Sequence, residues 1–551
     1  MALNAIVVVP ARDEEDQIAG CLQALSEQTI GREAFATFVV LDGCTDATEA
    51  AARASAARLG LTVTFVLGPG QGAGAARRAG LDAAAAQLLG HGLRDGLIAC
   101  TDADSRPAPD WLAAQLAHVR AGAQAVAGLV DLDPEESLSL PATVLLRRER
   151  DAAARLRRVR SVDPEAAHHH FAGASIGVTA EVYRRVGGMA PLAALEDAAF
   201  AQRLAARGIP ILRAADVRVR TSARSSGRAV RGLAVDLAVS RWLDERRYRA
   251  GDFPLELLRA RKGESSVAAV LPTKQCAQTI ARVIAETVVP LCDAGLIDDL
   301  LVIDADSPDG TAEIARAAGA RVINQDDVLG EFGPALGKGD AMWRAVHATS
   351  TDIVCFLDGD TADPHPDHLR GLLGPLLVDP SVMLVKGAFD RPLRAGAATL
   401  PHEGGRVTEL MARPLLNLHE PRLAGFAQPL AGEFSARRSL LEAVAFPAGY
   451  GVEIAVLIDA LRAHELDALA ECQLGSRQNR HQPLRDLGEM AYAVLAAVER
   501  RLAGRTSVAG GHYLRPWHDG EVVQVPVTER PPLRTLAPEV APDPLAGDLV
   551  P

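Results

Sequence analysis

The chain states one pattern twice. VVVPARDEEDQI, a Val-rich run closing on Pro10, returns as AAVLPTKQCAQTI around Pro272. VVLDGCTDAT returns as LVIDADSPDGT, which matches Asp42 to Asp304. GPGQGAGAARRAGLDAA returns as GPALGKGDAMWRAVHAT. ACTDADSRPAPDWL returns as CFLDGDTADPHPDHL, matching Asp102 to Asp358 and Asp104 to Asp360. Four segments in one order at nearly constant separation imply two homologous domains in tandem. The repeat is too long for a solenoid unit, so each copy should fold as a complete domain. The expected division is residues 1–250, a linker at 251–263, a second domain at 264–504 and an extended tail at 505–551.

A chain of 551 residues with 48% apolar content can bury two large cores. The net charge of −12 argues against a nucleic-acid binder, which carries a basic footprint. The seven cysteines are scattered without CxxC spacing, which suits reduced thiols better than a disulfide framework. A first strand from about Ala5 leaves no room for a signal peptide, and no apolar run approaches the roughly 18 residues of a membrane helix. A soluble, cytoplasmic protein is expected.

Within the first copy, AIVVV, FATFVV, TVTFVL and GLIACTDAD read as strands, and residues 15–27, 47–59 and 75–89 read as helices. Continuous apolar strands alternating with helices define an α/β fold, a mostly parallel, doubly wound sheet covered on both faces. Ligands bind such sheets at the carboxyl ends of the strands, where every repeated polar motif lies. The basic stretch at residues 228–263 reads as a helical connector. The Pro/Gly/Val-rich tail reads as extended, partly ordered by packing on the domains.

Asp102-Ala-Asp104 and Asp358-Gly-Asp360 each put two carboxylates on one side of a strand end. That makes an oxygen-only site suited to Mg²⁺ or Mn²⁺. A single Asp-x-Asp is as easily a turn or a helix cap, but recurrence at matched places favours the metal. Asp42 and Asp304 close the second strand of each copy, where a carboxylate can accept a ribose hydroxyl or a base N–H; capping the next helix is the alternative. Arg77 and Lys338 follow Gly-rich turns and suit a pyrophosphate or base contact. Neither a Walker pattern nor a GxGxxG after the first strand is present. The run His168-His169-His170 cannot easily converge on one zinc ion and reads as a loop with at most one acceptor contact.

On these residues both halves resemble nucleotide-sugar-dependent glycosyltransferases of the GT-A fold. The first half carries PARDEE, LDGCTDAT, TDADSRPAPDW, Glu196-Asp197 and TSARSSGRA, and resembles the large inverting family 2. The second carries GKGDAMWR, FLDGD, GGRVTEL, QPLAGEF, PAGYGVEI and LGSRQNRHQPLRDLG, and is similar to the glucosyl-3-phosphoglycerate synthases. The resemblance implies nucleotide-sugar contacts from Pro10, Glu14, Asp42, Arg77 and Asp102 in one copy, and from Pro272, Asp304, Lys338 and Asp358 in the other. It implies Asp102, Asp104, Asp358, Asp360, Asn479 and His481 as metal ligands. It assigns the inverting general base to Asp197, where the second copy has Ile454 beside the candidate catalytic Glu453, so the second copy should be retaining. Gly405, Arg406, Val407 and Thr408, with Arg477, would hold 3-phosphoglycerate. The second copy departs from the family in having Cys276 at a nucleotide-contacting Glu and Asn479 at a metal-binding His.

The implied partners are UDP- or GDP-glucose, 3-phosphoglycerate or a related small acceptor, and Mg²⁺ or Mn²⁺, with no nucleic acid. Pseudo-dimeric packing of the two copies is open to such a chain. The alternative is one catalytic copy beside a nucleotide-binding or structural module. A sugar nucleotidyltransferase is disfavoured, because Pro10-Ala-Arg-Asp and Pro272-Thr-Lys-Gln lack its Gly-rich, Lys-containing opening.

Overall fold

The computed structural model describes residues 3–225, 227, 231–395, 398–400, 404–477, 483–502, 511–515 and 521–536. It divides into two units, Met1–Arg241 and Trp242–Pro551. Each carries an eight-stranded sheet.

In the first unit the strand order is Val63–Leu67, Phe35–Leu41, Ala5–Ala11, Leu97–Cys100, Ile176–Thr179, Ala125–Leu132, Ile211–Thr221 and Ser105–Pro107. The first four run parallel; Ile176–Thr179 is antiparallel to both neighbours, and Ser105–Pro107 is antiparallel to Ile211–Thr221. Period-two side-chain geometry explains why the opening strand is apolar throughout. Ala5, Val7, Val9 and Ala11 join the core on one face, with Ile18, Leu22 and Trp111. Ile6 and Val8 join the core on the other, with Leu81, Leu88 and Phe200. Each buried Val or Ile of this kind stabilises by roughly 1.5–3 kcal/mol. Gly80 lets helix Ala73–Gly90 lie against the sheet: a Cβ there would stand 2.5 Å from Val8 Cγ1 and 2.6 Å from Val40 Cγ2.

The second unit repeats the order, as Arg321–Asn324, Asp299–Asp304, Val267–Thr273, Ile353–Phe356, Phe434–Arg437, Leu384–Asp390 and Leu469–Ser476. Its eighth strand is Arg247–Arg249, parallel to Leu469–Ser476. The boundary therefore falls at Arg241/Trp242 rather than at residue 250, and residues 251–263 are not a linker. Phe253 and Leu258, the latter on helix Leu255–Lys262, are buried in the second core. Trp242 is fully buried and donates to Leu469 O at 2.6 Å. Aromatic burial of this size outweighs the basic surface that made the stretch read as a connector.

The described part of the tail packs on the second unit. Val525 and Val527 are buried, Glu529–Arg530 pairs with Phe446–Pro447, and Trp343 Nε1 donates to Pro531 O at 2.9 Å. No described helix is long and apolar enough to cross a membrane. All seven cysteines are free.

Candidate active site

The second unit holds a cavity of about 600 Å³ at the carboxyl ends of its parallel strands. Pro272, Lys338, Asp358, Asp360, Gly405, Arg406, Val407, Thr408, Glu453 and Arg477, separate motifs in the sequence, line it together. Lys338 opens helix Lys338–Ala348 just past Gly337, and its Nζ lies 2.8 Å from Asp358 Oδ1 and 3.1 Å from Glu453 Oε1. Burial alone would push Lys338 down, but the Asp358 and Glu453 carboxylates outweigh it and hold the ammonium above the usual lysine range. Burial likewise acts to raise Asp358, yet the Lys338 charge brings it below the usual carboxylate range. Asp360 has no ion pair among the described residues, and burial followed by the Asp358 charge raises it.

Gly432 is required where it stands, since a Cβ would lie 2.3 Å from Lys338 Nζ and 2.5 Å from Asp358 Oδ1. Gly405 takes φ +67°, a left-handed conformation that turns the chain into the Arg406–Thr408 segment. Asp304, expected at the nucleotide, does not line the cavity. Its carboxylate accepts from Thr273 Oγ1 at 2.8 Å and from Ser307 N at 2.7 Å, so it clasps two loops. Asn479 and His481 lie outside the described residues.

The first unit builds the same core with different cations. Arg77, 4% exposed, donates to Asp102 Oδ1 at 2.6 Å and also to Glu196. Arg77, Asp102 and Glu196 thus match Lys338, Asp358 and Glu453. Gly173 fills the place of Gly432; a Cβ there would stand 2.4 Å from Arg77 Cζ. Asp197 follows Glu196 in the first turn of helix Glu196–Ala206, half-buried, with Oδ1 accepting from Ala198 N at 2.7 Å. Asp42 is spent on the Gly-rich turn, accepting from Gly70 N at 2.7 Å and Gly72 N at 3.0 Å. Asp46 caps the following helix instead, accepting from Thr48 N at 3.0 Å.

The expected metal pair is altered here. Asp102 is held by Arg77, and Asp104 Oδ2 lies 2.9 Å from Arg224 Nη2, whose guanidinium also grips Glu14 at 2.9 Å through Nη1. Both carboxylates already have a cationic partner, so this donor set does not fit a divalent ion. The second unit fits better: Asp360 is without such a partner among the described residues, and position 276 carries a neutral thiol, pushed up to about 11 by burial, where the first unit has Glu14. His168, His169 and His170 are each lowered by burial, His169 to about 4 and His170 to about 3. They are neutral rings packed on one another, with His169 and His170 centroids 4.1 Å apart.

Two buried ionisable side chains of the second unit escaped sequence reasoning. Lys386 is 1% exposed, and its Nζ donates to Ala431 O at 2.5 Å; burial lowers it to about 8. Glu433 is fully buried 3.4 Å from Arg477 Nη2, and burial followed by the Asp358 charge raises it. The available signal was a lysine inside an apolar strand, LVKGAFD, and a glutamate in QPLAGEF. By strand register the first unit has Ala127 and Ser175 at these places, so the two buried ionisable side chains mark the second unit.

Two Rossmann-like sheets, each ending in a cation clamped between an Asp-x-Asp carboxylate and a helix-borne glutamate, define a pair of sugar-nucleotide transferase domains. The model of glycosyl transferase family 2 matches residues 6–180 and 268–414, and the chain belongs to that family. It is a nucleotide-sugar-dependent glycosyltransferase. It is 40% identical over 303 residues to the glucosyl-3-phosphoglycerate synthase of Mycolicibacterium smegmatis, covering 54% of this chain and 99% of that one. The synthase of Mycobacterium tuberculosis is 40% identical over 305 residues, covering 54% and 93%. Among solved structures, mannosyl-3-phosphoglycerate synthase from Rubrobacter xylanophilus is 42% identical over 54% of this chain and 98% of that one, with a TM-score of 0.49.

Proposed function

We propose that the second unit transfers glucose from a nucleoside-diphosphate glucose, UDP- or GDP-linked, to the hydroxyl of 3-phosphoglycerate. The observation that carries this reading is the joint lining of one cavity by Asp358, Asp360 and Glu453 together with Arg406, Thr408 and Arg477. Arginines and a threonine hydroxyl beside Gly404-Gly405 suit a dianionic phosphate and a carboxylate. The 40% identity to glucosyl-3-phosphoglycerate synthases supports the same acceptor.

Pro272 and Lys338 would contact the donor, with Lys338 fixing the orientation of Asp358 and Glu453. Asp358 and Asp360 would hold Mg²⁺ or Mn²⁺, which when bound offsets the charge of the diphosphate. Arg406, Val407 and Thr408 would set the acceptor so that its hydroxyl faces the sugar. With Ile454 where the first unit has Asp197, no base stands at that position, in keeping with retention. In the first unit Asp197 would deprotonate the hydroxyl of a different acceptor, with inversion. Small phosphorylated substrates and seven free cysteines suit a cytoplasmic setting.

The test is incubation of the full chain with UDP-glucose or GDP-glucose and Mn²⁺, with and without 3-phosphoglycerate, read by mass spectrometry. A glucosylated 3-phosphoglycerate is expected, and glycerate without its phosphate should be a poor acceptor. Equal use of glycerate, or no glucosyl transfer with either donor, removes the reading.

A further inference from the structure

The first donor site contains a contact that the second cannot repeat. Glu14 of the first unit is replaced by Cys276 in the second. In the first unit Glu14 meets Arg224: Arg224 Nη1 lies 2.9 Å from Glu14 Oε2, and Nη2 lies 2.9 Å from Asp104 Oδ2. Glu14 and Arg224 are 210 positions apart, so only the fold brings them together.

We propose that Arg224 is the resident cation of the first unit, standing where a divalent metal would stand. The chain then takes up one divalent ion, at Asp360 of the second unit. A hard divalent ion needs several oxygen ligands at close to 2.1 Å in near-octahedral array. The first unit's carboxylates are turned toward planar guanidinium forks: Asp102 toward Arg77, Asp104 and Glu14 toward Arg224. A doubly charged ion placed among them meets two fixed positive charges at contact range, in a partly buried site where screening is weak. Arg224 is 28% exposed and Glu14 11%, so the pair is largely shielded from salt. In the second unit Asp360 has no ion pair among the described residues, and Cys276 neither repels nor recruits a guanidinium.

This inference rests on the donor-site reading above, and ion counting separates the two. The probe is Mn²⁺, followed by electron paramagnetic resonance of the free ion during titration of the full chain with UDP present. One Mn²⁺ per chain is expected. Asp360→Asn should bind none, and Asp104→Asn should still bind one. Arg224→Ala should open a second site, while Arg224→Lys, which keeps the charge, should stay at one. Circular dichroism reports that each variant remains folded. Two ions in the unmodified chain, loss of the single ion in Asp104→Asn, or a folded Arg224→Ala still binding one overturns the proposal and leaves the donor reading standing. An unmodified chain that binds no Mn²⁺ removes the donor reading and this inference with it.

Discussion

At each site one long cation reaches two carboxylates, and the two units use different cations for it. Lys338 presents a compact ammonium to Asp358 and Glu453, whereas Arg77 presents a planar fork to Asp102 and Glu196. The bare backbone beside each cation is part of the same device. Gly432→Ala would place a methyl 2.3 Å from Lys338 Nζ and force the ammonium off Asp358. Turnover should fall at least tenfold while the melting temperature moves by only a few degrees, as paired steady-state kinetics and calorimetry would read. Arg406 makes a different prediction. Arg406→Ala removes a charge-assisted phosphate contact worth about 1.5–3 kcal/mol, or about 10–150-fold in acceptor binding. KM for 3-phosphoglycerate should rise by that amount, with the dissociation constant for UDP unchanged in calorimetry.

At the scale of elements, strand Leu384–Asp390 carries a lysine into the core, and that has a pH signature. Burial lowers Lys386 from the usual 10.5 to about 8. Between those values the unfolded chain binds more protons than the folded one, so this residue's contribution to stability rises with pH across that window. Below about 8 both states are protonated and the full cost of burying the cation stands. The stability difference between the unmodified chain and Lys386→Met should therefore grow in favour of lysine from pH 8 to 10; urea unfolding at three pH values checks the slope. The tail strand Glu529–Arg530 makes a second case. Arg530 Nη2 lies 2.5 Å from Oδ2 of Asp340, a carboxylate 0% exposed that Arg344 Nε also reaches at 3.0 Å. Arg344 still compensates Asp340 once Arg530 is gone, so the loss is that of a charge-assisted hydrogen bond, about 1.5–3 kcal/mol. Arg530→Ala should lower the second unit's unfolding free energy by that amount, read from denaturant midpoints.

The elements also show what the sequence made legible. The opening strands were readable because both sheet faces are buried, which leaves uninterrupted apolar runs such as AIVVV. Ile211–Thr221 hid itself: an edge-side strand with a register shift at Gly128/Leu129 of its neighbour, it alternates Arg with Val and so lacks such a run. The Asp-x-Asp pairs were readable as motifs because each directly follows a short apolar strand, although Asp102, Asp104, Asp358 and Asp360 stand in the turn beyond that strand and not in it. Arg224 on Glu14, and Lys386 on Ala431, were not, because each contact depends on segments far apart in sequence. Asp42 and Asp304 were expected at the nucleotide, but loop geometry spends their oxygens on Gly70, Gly72, Thr273 and Ser307.

For the whole molecule, each unit owns a complete sheet with its own buried clusters, which predicts that residues 242–551 fold without residues 1–241. Cutting at residue 263 instead would remove strand Arg247–Arg249 along with Phe253 and Leu258, and that shorter fragment should be unstable; thermal melts of the two fragments make the comparison. Duplication followed by divergence of the cations accounts for one chain with two unlike sites. The central claim is that the second unit glucosylates 3-phosphoglycerate with retention. ¹H NMR of the reaction of fragment 242–551 with UDP-glucose or GDP-glucose, 3-phosphoglycerate and Mn²⁺ tests it most directly. An α-anomeric product that disappears in Asp360→Asn is the predicted result; a β-anomeric product, or none from either donor with the fragment folded, would contradict it.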